Sequence, residues 1–194
     1  MTSNAAQEPQ RTGQRRVLFL LASARSDGNA ELLARQAAST LPTRTEQTWI
    51  RLADVSLGRF TDTRHVGDGA YPAPSASGGN LLDATLAATD VVFVAPVYWY
   101  SLPADAKLYL DHWSGWIRIP GLDFRARMAG KTMWAISVFS SDDAAEATPL
   151  FECLRRSADY MKMGWGGEVL GQGNRPGDVL ADHRSVAAAR QLFI

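Results

Sequence analysis

A chain of 194 residues, 46% of them hydrophobic, is long enough to bury a full core and too apolar to be disordered. Its 20 Lys and Arg balance 20 Asp and Glu, which argues against nucleic-acid binding by bulk charge, and its single cysteine excludes an intrachain disulfide framework. In chain order, residues 1–14 read as a flexible tail without the apolar stretch of a secretory signal, and residues 15–194 as one domain, with the cytoplasm as the default location. The first strand is expected over about Arg16–Ala22, an apolar run far too short to span a membrane. A helix follows over about Asn29–Leu41 and ends at Pro42. The second strand is expected at about Glu46–Ala53. The segment Asp54–Gly79 is rich in Gly and Pro and long for a connection; it suits a partly mobile flap. Its Phe60 and Tyr71 either cover a site or pin the loop, and pinning is expected for Phe60. A short helix is expected over about Leu81–Ala88, a third strand at Val91–Ala95 and a long helix from about Pro103 to Trp113. The fourth strand falls at about Lys131–Val138, a helix at about Ala144–Met163, the fifth strand at about Trp165–Gly171 and a last helix from Pro176 or Val179. Strand and helix alternate five times without an internal repeat, the pattern of an α/β domain.

Two strand-to-helix loops carry the chemistry. The first holds Ser23, Arg25, Ser26, Asp27, Gly28 and Asn29. Hydroxyls, a guanidinium and the free N–H groups of a first helical turn make a candidate anion cradle. Gly28 permits either a special backbone angle or a close approach, and Asn29 is equally readable as a plain helix cap. In the second loop the strand breaks at Pro96 and exposes Tyr98, Trp99 and Tyr100, a seat for a flat heterocycle. The plain alternative is that these aromatics pack on a neighbouring loop or another subunit. Neither G-x-G-x-x-G nor G-x-x-x-x-G-K-[ST] is present, so a dinucleotide fingerprint and an ATP or GTP loop are unsupported. A phosphate loop without those patterns, paired with an aromatic loop, suits a mononucleotide such as FMN.

Ser23–Asn29 resembles the phosphate loop of the flavodoxin-like NAD(P)H-dependent FMN reductases and quinone reductases, and Ala95–Trp113 resembles their flavin-ring loop and following helix. The resemblance implies FMN as bound cofactor, with Ser23, Arg25, Gly28 and Asn29 on its phosphate. It places Pro96, Val97, Tyr98 and Trp99 at the ring, with Tyr100 and Ser101 nearby. It implies NADPH or NADH as reductant, hydride passing through flavin N5, and a small planar acceptor such as a quinone, azo compound or free flavin. No side chain is singled out as catalytic, because the cofactor carries the chemistry. The implied fold is a three-layer α/β/α sandwich with a five-stranded parallel sheet in order 2-1-3-4-5. In that order the two loops leave adjacent strands at one crevice. A homodimer or dimer of dimers through the Pro103–Trp113 helix is implied too, with Trp113 or Trp116 touching the partner. Lys107 and Asp111 match recurring positions of that helix and read as scaffold and interface.

Some features depart from the family pattern. Ala22 and Ala24 stand where glycine and proline are frequent, without loss of a phosphate donor. The loop Ser137–Pro149 places Asp142 and Asp143 where a glycine-rich segment is common, near the expected ring. Cys153 reads as a small buried apolar residue, and a lone thiolate cannot hold an iron–sulfur cluster. His65 lacks a neighbour at ligand spacing, so an exposed histidine is expected and no metal site. Neither His112 with Asp111 nor His183 with Asp182 makes a hydrolytic triad. Two rival functions remain: a flavodoxin-type electron carrier, which the zero formal net charge disfavours, and a non-enzymatic binding domain that has lost flavin.

Overall fold

The computed structural model describes residues 13–194. The expected tail falls outside the described residues except for Gly13 and Gln14, both exposed. Five strands, β1 (Arg16–Leu21), β2 (Glu46–Arg51), β3 (Asp90–Pro96), β4 (Thr132–Phe139) and β5 (Gly164–Gln172), form one sheet in the order β2-β1-β3-β4-β5. All four pairings are parallel. The connections carry α1 (Asn29–Ala38), α2 (Ala76–Ala87), α3 (Ala104–Trp116), a short α4 (Phe124–Met128) and α5 (Thr148–Tyr160); α6 (His183–Gln191) follows β5. This is the fold class expected from the sequence.

Central strands buried on both faces need apolar side chains at every position, which is why β1 and β3 read as continuous hydrophobic runs. Alternate residues then feed opposite cores. Leu18, Leu20, Val91 and Phe93 pack with Leu82, Tyr109, Phe124 and Leu154 beneath α2 to α5. Val17, Phe19, Val92 and Val94 pack with Leu33, Ala37, Ala189 and Phe193 beneath α1 and α6. Truncating a wholly buried ring such as Phe93 costs about 3–5 kcal/mol in such a setting.

Several boundaries differ from expectation. Helix α2 starts at Ala76, ahead of Leu81, with Gly78 and Gly79 inside it. A Cβ on Gly78 would lie 3.2 Å from Pro74 and 3.4 Å from Leu57, so the bare glycine lets the helix start pack on the preceding loop. Helix α5 starts at Thr148, because Pro149 is accommodated in the first turn, and a 3-10 turn occupies Ala144–Ala147. The last helix is split: a 3-10 turn spans Asp178–Ala181, and α6 begins after Asp182, whose carboxylate accepts from the Ser185 N–H at 3.1 Å. Pro96 ends β3 rather than breaking away from it, a strand-end place that proline tolerates.

Helix α3 runs on to Trp116. Trp113 and Trp116 are only 4% and 3% exposed and meet Tyr109 and Phe124 edge to face. The expectation that one of them touches a partner is therefore corrected: both rings are consumed by the chain's own core. Cys153 is partly buried against the same core, and His65 is exposed. The connection from 55 to 75 lies on α3. Phe60 stacks on Tyr71 at 6.0 Å and meets the His112 ring edge at 5.7 Å, while Gly58 O lies 2.8 Å from His112 Nε2. Phe60 thus pins the loop, as expected. No helix among the described residues is long and apolar enough to cross a membrane.

Candidate active site

Because β1 and β3 are neighbours, the loops at their carboxyl ends diverge and leave a crevice. An open cleft of about 240 Å³ lies there, walled by segments of four loops. The first wall begins where the Ala22 N–H donates to Val94 O at 2.9 Å, tying the loop to β3. Ser23 is buried and its Oγ accepts from the Arg25 N–H at 3.1 Å. Gly28 has an ordinary φ of −68°, so no special angle is needed. What it supplies is room, since a Cβ there would sit 3.0 Å from Ser23 Oγ. No side chain caps α1; the first intrahelical bond runs from the Leu32 N–H to Gly28 O at 3.0 Å. The N–H groups of Asn29, Ala30 and Glu31 are left without intrahelical acceptors at this helix start.

Arg25 is exposed, and its guanidinium makes no hydrogen bond or ion pair among the described residues. Its carbonyl is held by Arg51 Nη1 at 2.8 Å, and Arg51 Nη2 donates to Glu31 at 2.7 Å. Arg35 pairs with the other Glu31 oxygen at 3.0 Å. Burial pushes the Glu31 carboxyl up, but the hydrogen bonds and charges of Arg51 and Arg35 outweigh it and hold the pKa below its ordinary 4.5. A lowered folded-state pKa stabilises the fold above the unfolded value, and that contribution is lost as pH falls through the folded value. Glu31→Gln is accordingly expected to cost roughly 1.5–3 kcal/mol at pH 7. The gap between variant and parent should close in urea melts taken below about pH 4; a constant gap across that range would refute the charge-based account.

The second wall is Pro96, Val97 and Tyr98. Beyond it Tyr98 and Ser101 exchange backbone bonds of 3.1 and 3.0 Å around Trp99 and Tyr100, whose φ angles are 49° and 64°. This has the backbone sign of a type I′ turn, which favours Asn and Gly at its central positions. Two bulky aromatics occupy them instead, and Trp99 is 92% exposed. Of the ten residues singled out from the sequence, Ser23, Arg25, Gly28, Asn29, Pro96, Val97 and Tyr98 line the cleft; Trp99, Tyr100 and Ser101 do not.

Val138, Phe139 and Ser140 give the third wall, directly after the β4 core. Asp142 and Asp143 of the same loop do not line the cleft: Asp142 faces the Gln172 amide at 3.4 Å, and Asp143 accepts from the Ala145 N–H at 2.9 Å. Gly173, Asn174 and Pro176 form a fourth wall that no local sequence signal singles out. The available signal was topological: in a 2-1-3-4-5 sheet the loops after β4 and β5 end on the same edge as that after β3. Neither His112 nor His183 lines the cleft. Among the described residues no group of three or more His, Cys, Asp or Glu is placed to hold a metal.

The family model described as NADPH-dependent FMN reductase matches residues 15–156. The chain belongs to the NADPH-dependent FMN reductase family. As a member it is an NAD(P)H-dependent flavin oxidoreductase with FMN as cofactor, which answers the non-enzymatic alternative. It is 31% identical over 170 residues to a Bacillus subtilis (strain 168) protein provisionally named NAD(P)H-dependent FMN-containing oxidoreductase YwqN, covering 87% of this chain and 91% of that one. The solved Trp repressor binding protein of Bacillus subtilis superposes with a TM-score of 0.71 at 26% identity, over 92% of this chain and 97% of that one. An FMN-dependent NADH-azoreductase from Bacillus anthracis, solved with FMN, superposes at 0.62 with 14% identity over 92% and 99%, a likeness of fold alone.

Proposed function

We propose that this FMN reductase reduces a small planar acceptor, such as a quinone, azo compound or free flavin, with electrons from NADPH or NADH, and that FMN sits in the β1/β3 cleft. The observation that carries this reading is the meeting, in one crevice, of a helix start without a side-chain cap, an Arg25 unpaired among the described residues and the flat Pro96–Tyr98 wall. The residues present fit the group: backbone donors and a guanidinium suit a phosphate, and Gly28 leaves space that a Cβ would fill. Ser23, Arg25, Gly28 and the N–H groups of Asn29 to Glu31 bind the phosphate end. Pro96, Val97 and Tyr98 lie along the ring, with Trp99, Tyr100 and Ser101 at its outer rim. When bound, FMN supplies hydride exchange between reduced nicotinamide and acceptor. The chain's part is to orient two planar partners in turn at one face and to shed water from it. Double-reciprocal plots at several acceptor concentrations should give parallel lines, the mark of ping-pong turnover; intersecting lines would require donor and acceptor to be bound together.

A homodimer, or a dimer of dimers built from it, is proposed through the outer side of the Pro103–Trp113 segment, where Ala104 and Lys107 are exposed and Leu108 and Asp111 half-buried. Lys107 and Asp111 pair with each other at 2.5 Å along that side. Sedimentation at micromolar concentration should show a dimer, and a fully active monomer would contradict it. A cytoplasmic location fits an enzyme drawing on reduced nicotinamide.

A further inference from the structure

Asn29 has the residue type and position of a phosphate ligand, but its side-chain amide is engaged elsewhere. Nδ2 donates to Arg175 O at 2.9 Å, and Oδ1 accepts from the Gly177 N–H at 2.9 Å. Both partners lie in the loop between β5 and the 3-10 turn, nearly 150 residues away in the chain. That loop is cross-braced by its own hydrogen bonds. Asp178 Oδ2 accepts from the N–H groups of Asn174 and Arg175 at 3.2 and 2.7 Å, and Gly177 turns the chain at φ 89°. Gly173 closes the contact from the other side: a Cβ there would lie 3.0 Å from Asn29 Nδ2 and 2.9 Å from Val179 N. One amide thus fastens the start of α1, which carries the first cleft wall, to the loop that carries the fourth.

We infer that Asn29 is a positioning residue that sets the spacing of these two walls through its clamp on Arg175 and Gly177, and that its side chain does not itself hold phosphate. The inference rests on the FMN reading for its ligand, but the clamp is a property of the ligand-free chain. A two-ended amide suits this task because it pairs with one carbonyl and one N–H at once. A clamp that sets cleft width serves the whole ligand, whereas a phosphate contact serves only ligands with a phosphate.

Hydrogen exchange on the FMN-free protein tests the clamp directly. In Asn29→Ala the Gly177 amide should exchange about tenfold faster or more, as it loses a hydrogen-bond acceptor. Asn29→Asp keeps that acceptor and should retain protection at neutral pH. Unchanged exchange in Asn29→Ala overturns the proposal. Flavin titrations test the consequence. Asn29→Ala should weaken FMN and riboflavin by the same factor, about tenfold, the worth of one to two hydrogen bonds. Asn29→Asp should restore riboflavin binding, since that ligand brings no charge to oppose the carboxylate. Gly173→Ala, which displaces the amide from the opposite side, should reproduce the equal loss, and the double variant should lose less than the sum. A loss confined to FMN would make Asn29 a phosphate ligand and end the proposal. If the parent bound neither flavin, the FMN reading would fall while the exchange result still decided the clamp.

Discussion

Arg25→Ala is expected to weaken FMN binding by about 1.5–3 kcal/mol, the worth of a hydrogen bond to a charged group, and riboflavin by far less. In dissociation constants this is about one to two orders of magnitude. The expectation follows from how the residue is held. Its backbone is fixed at both ends, the N–H on Ser23 Oγ and the carbonyl by Arg51. Its guanidinium is exposed and unpaired among the described residues, so turning onto a phosphate breaks no existing contact. The α1 start adds backbone donors that the substitution does not touch, which is why binding should weaken rather than vanish. Fluorescence titration with both flavins checks the claim. Equal small losses would remove Arg25 from the phosphate site.

Replacing Trp99 and Tyr100 with Asn and Gly is expected to stabilise the FMN-free protein while reducing turnover. Left-handed backbone costs a bulky L-residue roughly 1–2 kcal/mol, and Asn-Gly is the pair that a type I′ turn prefers. Trp99 at 92% exposure buries almost nothing that its removal would forfeit, and Tyr100 is 52% exposed. The two relieved positions should together raise the melting temperature by several degrees, since about 1 kcal/mol shifts a domain of this size by about 2–4 °C. Strain kept at a binding surface is the usual sign that the side chains displayed there are used. A fall in melting temperature would show that the turn is not strained, and unchanged turnover would show that the aromatic tip takes no part in the reaction.

How much was legible follows from which signals are local. The double-sided burial of β1 and β3 writes itself as Val17–Ala22 and Val91–Ala95, and the ends of those runs mark the two loops that follow. Gly78 and Gly79 read as loop in the sequence, yet both lie inside α2, where Gly78 fits by its small size against Pro74 and Leu57. Trp113 and Trp116 have the composition of an interface; only α4, a five-residue helix unseen in the sequence, provides the Phe124 that draws them inward. Asn29 reads in the sequence as a phosphate contact or a helix cap, but its side-chain partners lie in the β5 loop and no spacing rule connects them. The wall from 138 to 140 falls within the Ser137–Pro149 loop that the sequence already sets near the ring, whereas the wall from 173 to 176 becomes visible only when parallel strand order brings the β5 loop to the same edge.

The central claim, that this cleft holds FMN for two-electron traffic from reduced nicotinamide, is most directly tested by stopped-flow absorbance at the oxidised-flavin band. FMN-loaded protein is mixed without oxygen, first with NADPH and then with NADH. At least one of them should bleach the band in a single turnover, and a quinone added afterwards should restore it. If neither nicotinamide bleaches the flavin, the reductase account fails and the protein is an electron carrier of the flavodoxin type.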